Sequence, residues 1–101
     1  MKIIIQSPEL KPRQSLIDFV TKKIEKLEQY SDRIHEARVL LKLETSDSGA
    51  NKVCEVRLAI PGNDLFAKRQ ATSFEEASKE VMIALRKQLK QWSDKMTAHK
   101  L

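Results

Sequence analysis

The sequence predicts an α+β fold, a two-layer sandwich of element order β-α-β-β-β-α. Two long segments repeat apolar residues every three or four positions, which is typical of amphipathic helices. Shorter segments between them alternate apolar and polar residues, as half-buried strands do. Closely spaced turns join these strands into hairpins, so we expect a mainly antiparallel four-stranded sheet. Both helices should pack side by side on one sheet face, leaving the other face polar and solvated.

The first third of the chain predicts a short strand followed by a helix. Residues 1–6 are rich in β-branched side chains, and Ser7-Pro8 ends this run. Pro12 is expected at the first helical position, where its missing N–H is not needed, and the helix should continue to about Tyr30. The apolar stripe of this helix consists of Leu16, Val20, Ile24 and Leu27, flanked by Ile17.

Three alternating segments predict the remaining strands, at residues 36–44, 52–60 and 65–71. Turn-forming residues at 47–51 and 61–64 separate them. The alternation places one set of side chains toward the core: Ala37, Val39, Leu41 and Leu43 in the first segment, and Cys54, Val56, Leu58 and Ile60 in the second.

A second helix is expected from Ser73 to about residue 98. Ser73 and Glu76 form a Ser-x-x-Glu capping box, in which each side chain satisfies a backbone N–H at the start of the helix. The apolar stripe of this helix consists of Phe74, Ala77, Val81, Leu85, Leu89, Trp92 and Met96. Trp92 belongs to that stripe, so we expect it to pack in the core rather than to stack on a base.

Composition and charge indicate one small basic domain, residues 1–101. The formal net charge is +5, of which residues 51–101 contribute +4, and this excess favours an anionic partner without identifying it. The single Cys54 excludes an internal disulfide framework and suits a reducing compartment. The apolar run at residues 3–5 is too short for a signal peptide or a membrane span. We therefore expect a cytoplasmic protein with no membrane partner.

The sequence contains no recognisable catalytic constellation. Neither His35 nor His99 has a Cys, His or carboxylate at a metal-ligand spacing, so solvated surface is the expected environment of both. Cys54 is expected on an inward strand face without a neighbouring base. With only two glycines the chain has no glycine-rich phosphate loop. These observations argue against an enzyme, a bound cofactor and a metal site.

The remaining candidate is a basic surface on the two helices. The first helix gathers Lys22, Lys23 and Lys26 on one flank, and the second carries Lys79, Arg86, Lys87 and Lys90, continued by Lys95. At about 100° per residue, Lys79, Arg86 and Lys90 lie within about 40° of one another. Side-by-side helices would bring both groups to a common groove, where lysine and arginine suit a phosphate backbone. The alternative is that these cations only aid solubility, some paired with Glu76 or Asp94.

Four segments resemble one known protein family along essentially the whole chain. They read FVTKKIEKLEQYSDRI at residues 19–34, VLLKLE at 39–44, FAK at 66–68 and LRKQLK at 85–90. This pattern is similar to that of the ribosome hibernation-promoting factors, also called ribosome-associated inhibitors or sigma-54 modulation proteins. The resemblance is closest to the short members, whose β-α-β-β-β-α fold is related to double-stranded-RNA-binding domains. Lys23, Lys26 and Lys87 match basic positions of the family, and Lys95 falls on a further one.

The resemblance implies a non-enzymatic protein that binds the small ribosomal subunit in stationary or stressed bacteria. Its partners would be 16S-type rRNA and neighbouring ribosomal proteins at the messenger and tRNA channel, where it would inhibit translation. Short family members rely on a separate helper protein to pair ribosomes, so a ribosome-dimerising factor is a further partner implied by the resemblance.

Two other functions are also compatible with the sequence. A general double-stranded-RNA-binding module would use the same helices without ribosome specificity. A protein-interaction module would instead use the exposed sheet face, whose expected side chains are Arg38, Lys42, Glu55, Arg57 and Lys68. The mixed charge of that face makes it a poor hydrophobic docking surface.

Overall fold

The computed structural model of the protein describes residues 1–99, with side chains described through Met96. Its strands are β1 (Lys2–Gln6), β2 (Glu36–Leu43), β3 (Lys52–Ile60) and β4 (Asn63–Ala71). Its helices are α1 (Gln14–Glu25), which a 3₁₀ turn at Lys26–Gln29 extends, and α2 (Phe74–His99). The predicted order β-α-β-β-β-α is confirmed, and so is the α+β class.

The sheet is mixed, with the strands in the order β1-β2-β3-β4. The β2–β3 and β3–β4 pairs are antiparallel, as the hairpin turns predicted. In contrast, β1 runs parallel to β2, with Lys2 opposite Glu36 and Gln6 opposite Leu40. A parallel neighbour requires a crossover connection, and α1 provides it. The prediction of a mainly antiparallel sheet is therefore confirmed, with one parallel pair at the β1 edge.

The start of α1 differs from the prediction. Arg13 is the N-cap, with an extended backbone at φ −66° and ψ 148°, and its carbonyl accepts hydrogen bonds from the amides of Leu16 and Ile17 at 3.0 and 3.1 Å. Pro12 therefore precedes the cap and is not the first helical residue, because the extended Arg13 separates it from the helix. The α-helix also ends earlier than expected, since its last turn tightens into the 3₁₀ geometry before Tyr30.

The start of α2 follows its capping signal. The amide of Glu76 donates a hydrogen bond to the Ser73 hydroxyl at 3.1 Å, which is the Ser73 half of the predicted capping box, and the helix begins at Phe74, directly after Ser73. The preceding strand, β4, begins two residues earlier than predicted, because Asn63 already pairs with Ile60. The intervening turn needs only Pro61 and Gly62, and Gly62 has φ +83°, a conformation that a side chain would strain.

The core lies between the sheet and the two helices. Val20 and Ile24 from α1, Val56 and Leu58 from β3, and Leu85 from α2 are all fully buried. Leu43, expected to face inward, is 38% exposed, so the buried stripe of β2 ends one inward position earlier. Trp92 packs against this core as a partly buried side chain, in agreement with the sequence.

Side-chain hydrogen bonds join α2 and β4 at the outer edge of the sheet. Gln88 on α2 donates from Nε2 to the carbonyl of Phe66 at 2.9 Å. Within β4, the Arg69 guanidinium donates to the carbonyl of Lys68 at 2.8 Å. Two backbone acceptors of this edge strand are thus occupied by side chains.

Truncation of the buried stripe of α2 should destabilise the protein far more than truncation of its outer face. Leu85→Ala removes a fully buried side chain and is expected to lower the free energy of unfolding by about 2–5 kcal/mol. The matched control is Ile83→Ala on the same helix, because Ile83 is 59% exposed and its loss should change stability by no more than about 0.5 kcal/mol. Urea denaturation measures the free energy of unfolding of both variants. Equal losses of stability would contradict an orientation of α2 in which Leu85 faces the core and Ile83 faces solvent.

Candidate nucleic-acid interface

A groove of about 350 Å³ runs between the two helices on the side away from the sheet. One wall comes from the end of α1 and its 3₁₀ turn, and the other from the middle of α2. The residues that line the groove are Lys23, Lys26, Leu27, Gln29, Tyr30, Lys79, Met82, Ile83 and Arg86. Cations from both helices therefore border one concave surface, as the helical periodicity predicted.

Buried neighbours fix the positions of these cations. On α1 and its 3₁₀ turn, Lys23 and Lys26 each precede a core residue, Ile24 and Leu27 respectively. Because successive helical residues are about 100° apart, both lysines lie at the flank of the buried stripe and reach the groove. Lys23 also lies over the ring of Phe19, with 5.4 Å between its Nζ and the ring centroid. This contact places the Lys23 amine at the groove rim.

The wall formed by α2 is built in the same way. Lys79, Ile83 and Arg86 occupy successive turns of one helical face, opposite the buried Val81 and Leu85. Lys79 and Arg86 are both exposed at the surface. The row of cations therefore follows from the packing of α2, because rotation of the helix would expose its core stripe.

The predicted cations on the helices form no ion pairs within the described part of the chain. The carboxylates within 4 Å of a lysine or arginine in residues 1–96 are all paired with cations on the sheet. The pairings of Lys79 with Glu76 and of Lys90 with Asp94, which would have explained these lysines as solubilising positions, are not among them. The charges of the helix layer are thus available to an external anion.

Not every predicted site residue lies in the groove. Lys87 lines an adjoining depression beside β4, together with Arg69 and Gln88, and Ile83 lines both this depression and the groove. Lys90 is exposed one turn beyond Arg86 on the same helical face. Lys22 and Lys95 are also exposed, but neither lines the groove. Lys23, Lys26, Lys79 and Arg86 are the predicted cations that the fold brings together, and we refer to these four as the groove cations.

The sequence patterns missed the apolar floor of the groove. Ile83 is 59% exposed among the groove cations, and Tyr30 is 40% exposed at the end of the 3₁₀ turn. Met82, which is buried at 8%, lines the same groove. A signal for Ile83 was present, because a large aliphatic residue on the charged face of an amphipathic helix departs from the expected pattern.

The opposite face of the sheet has a different electrostatic character. Lys42 contacts Glu55 at 2.8 Å and Glu44 at 3.3 Å, and Lys68 contacts the same Glu44 at 2.9 Å. The hydrogen bonds from Lys68 and then Lys42 lower the pKa of Glu44, while those to Glu55 and then Glu44 raise the pKa of Lys42. These four side chains form a chain of alternating charge across three strands.

The other two cations predicted on that face are also engaged. Arg38 contacts Glu36 at 2.7 Å, and this hydrogen bond lowers the pKa of the Glu36 carboxyl. Arg57 lies 3.8 Å from Asp64 and places its guanidinium 5.0 Å from the ring centroid of Phe66. The charges of the sheet face are therefore compensated internally, whereas those of the helix layer are not.

The histidines and the cysteine provide no further site in the described structure. His35 is exposed, and its backbone joins β1 to the end of β3 through Lys2 and Ala59 at 3.1 and 2.9 Å. The side chain of His99 lies outside the described residues. In residues 1–96, no group of three or more potential metal ligands comes together. Neither helix, as far as its residues are described, is long and apolar enough to cross a membrane.

Comparison with known proteins identifies the class to which this small α+β protein belongs. The sequence model of the sigma 54 modulation protein / S30EA ribosomal protein family matches residues 3–97. The chain belongs to this family, and the resemblance recognised in its sequence is confirmed.

Individual relatives agree with this assignment. The ribosome hibernation promoting factor of Escherichia coli K12 is 29% identical over 99 residues, and that of Klebsiella oxytoca is 27% identical. Both alignments cover 98% of this chain and 100% of the relative.

Two solved structures share the fold. A ribosomal subunit interface protein from Coxiella burnetii superposes with a TM-score of 0.83 at 16% identity, covering 93% of this chain and 99% of that one. The N-terminal domain of Protein Y from Thermus thermophilus gives 0.75 at 23% identity, with coverages of 91% and 99%. At these identities the structural likeness establishes the fold.

Cys54 should be chemically inert in the folded protein. Burial raises the pKa of its thiol to about 11, so at pH 8 only about one part in a thousand is the nucleophilic thiolate. We expect iodoacetamide at pH 8 to leave native protein unmodified and to alkylate Cys54 after denaturation in guanidinium, as read by intact mass. Rapid alkylation of the native protein would show that the sheet opens readily at β3.

Proposed function

We propose that this chain is a ribosome hibernation factor that associates with the small ribosomal subunit and inhibits translation without catalysing a reaction. The observation that carries the proposal is the contrast between its two faces: the helix layer presents cations without ion-pair partners, while the sheet face neutralises its own. Membership of the family and the names of the relatives support ribosome association.

Ribosomal RNA is the anion that this surface suits best. The groove cations are anchored on helices whose rotation the core fixes, so the backbone need not rearrange when they meet phosphates, and only side-chain freedom is lost. Contacts of this kind position a protein on RNA without requiring a particular base sequence. Lys22, Lys87, Lys90 and Lys95 are exposed around the groove and would widen the phosphate-contacting surface.

Inhibition would follow from occupancy. We propose that the whole chain acts as one binding domain in the messenger and tRNA channel of the small subunit, where it excludes both ligands in stressed or stationary cells. The protein would then be cytoplasmic and ribosome-associated. A separate dimerising factor would be needed if the silenced ribosomes form pairs.

Charge reversal in the groove should abolish binding to the small subunit. Lys26→Glu combined with Arg86→Glu places two carboxylates where the proposal requires cations to meet phosphates. The affinity for small subunits, measured by co-sedimentation, should therefore fall by at least about 100-fold. Both side chains are exposed, and the thermal unfolding midpoint should remain close to that of the native protein.

The sheet face supplies a control of identical charge. Arg38→Glu combined with Lys68→Glu changes the net charge equally, but these cations already contact carboxylates in the protein. Their loss should cost about 0–1 kcal/mol of stability per exposed pair and leave subunit binding within a few-fold of the native value. If the sheet variant binds more weakly than the groove variant, the proposed orientation is wrong.

Salt and competing ligands should both weaken the complex. With roughly 6–10 phosphate contacts, raising the salt concentration from 50 to 200 mM is expected to lower affinity by about 10³–10⁵. Excess tRNA and messenger should displace the protein from small subunits in sedimentation assays. Salt-sensitive binding that neither tRNA nor messenger displaces would instead indicate a general double-stranded-RNA-binding module. Binding that survives nuclease treatment would indicate a protein-interaction module.

A further inference from the structure

We propose that the interhelical groove receives an unstacked nucleotide of single-stranded rRNA, with the base against Tyr30 and Ile83 and the flanking phosphates on the groove cations. This inference rests on the proposed function and specifies the form of RNA that the site takes. A surface that only met the outside of an RNA duplex would need the cations alone.

The floor of the groove is apolar where a purely electrostatic surface would be polar. Tyr30 and Ile83 are 40% and 59% exposed, and the buried side chains of Met82 and Leu27 line the same groove. These four side chains come from both walls of the groove, Leu27 and Tyr30 from one and Met82 and Ile83 from the other. A tyrosine ring among aliphatic groups is suited to the flat face of a nucleobase.

The groove cations surround this floor and have no ion-pair partner in the described residues. A nucleotide complements this arrangement, because the flat faces of its base suit apolar side chains and its phosphates are anionic. The groove volume of about 350 Å³ falls within the range of about 300–1,000 Å³ typical of small-molecule sites. Size, polarity and charge therefore all match one flipped-out nucleotide.

Duplex RNA would not use this floor. Its bases are stacked inside the helix, and the accessible surface consists of phosphates and hydroxyl-rich groove edges. Tyr30 and Ile83 would then meet only hydrated polar groups. Loops, bulges and ends offer bases whose faces are free, and proteins recognise these bases by stacking them on aromatic side chains.

The test compares two RNA hairpins that differ only in the loop. Both have the same stem and the same loop phosphates, but one loop carries its bases and the other is abasic. We expect the native protein to prefer the base-bearing loop by roughly 5- to 150-fold in fluorescence anisotropy, the range that stacking of one base provides. Tyr30→Phe should retain this preference because it keeps the ring, and Tyr30→Leu should abolish it.

The salt dependence separates stacking from charge. None of these substitutions alters a cation, so the slope of log affinity against log salt should be the same for the native protein, Tyr30→Phe and Tyr30→Leu. Ile83→Ala is a second variant at an exposed position and should reduce the preference partially. Thermal unfolding of each variant verifies that the groove is intact.

Equal affinity of the native protein for both hairpins would overturn the inference while leaving the proposed function standing, provided that small subunits are still bound. If Tyr30→Leu weakens binding to small subunits but leaves both hairpins unaffected, the groove holds a ribosomal-protein segment and the inference is again overturned. Absence of binding to both RNA and small subunits would refute the proposed function as well.

Discussion

The packing of α2 on the sheet is the constraint on which the rest of the structure depends. Val81, Leu85 and Leu89 are fully buried against the inner face of the sheet, and this stripe fixes the rotation of the helix about its axis. Once the rotation is fixed, helical periodicity alone directs Lys79 and Arg86 outward. The basic surface is therefore a consequence of the core rather than an independent feature. A substitution that loosened the stripe would disperse the cations without altering any of them.

The two faces of the protein use charge in opposite ways. Across the sheet, lysines and arginines alternate with carboxylates at 2.7–3.8 Å, which favours a solvated, self-contained surface. Across the helices, the predicted cations have no carboxylate partner within 4 Å among the described residues. The net charge of +5 therefore understates the difference in charge between the two faces, because the ion-paired sheet face contributes little to the electrostatic field around the protein.

Sequence patterns predicted the elements more successfully than their ends. Two amphipathic periods, two hairpin turns and one capping box are local signals, and they sufficed for the order and class of the fold. The parallel pairing of β1 with β2 depends on the path of α1 across the sheet, and no local pattern encodes it. Pro12 was predicted at the first helical position, but the extended backbone of Arg13 separates it from the helix.

The site was predictable to a similar extent. Periodicity placed the cations on one face of each helix, but only the packing of α1 against α2 shows which of them share a groove. Periodicity grouped Lys79, Arg86 and Lys90 by rotation without Lys87, but it could not show that Lys87 lines a depression beside β4. The position of Tyr30 in the groove follows from the 3₁₀ turn that precedes it, and helical periodicity did not predict that turn. Family resemblance supplied the partner, which neither charge nor spacing could name.

The side-chain hydrogen bonds along β4 have a consequence for solubility. An edge strand with free carbonyls and amides is a template on which another chain can add a strand, and such addition leads to aggregation. In this protein Gln88 and Arg69 already occupy the carbonyls of Phe66 and Lys68, at 2.9 and 2.8 Å. An incoming strand would have to displace both side chains before it could extend the sheet. Gln88, on the helix that presents the cations, and Arg69, on the edge strand itself, thus both protect the sheet against templated growth.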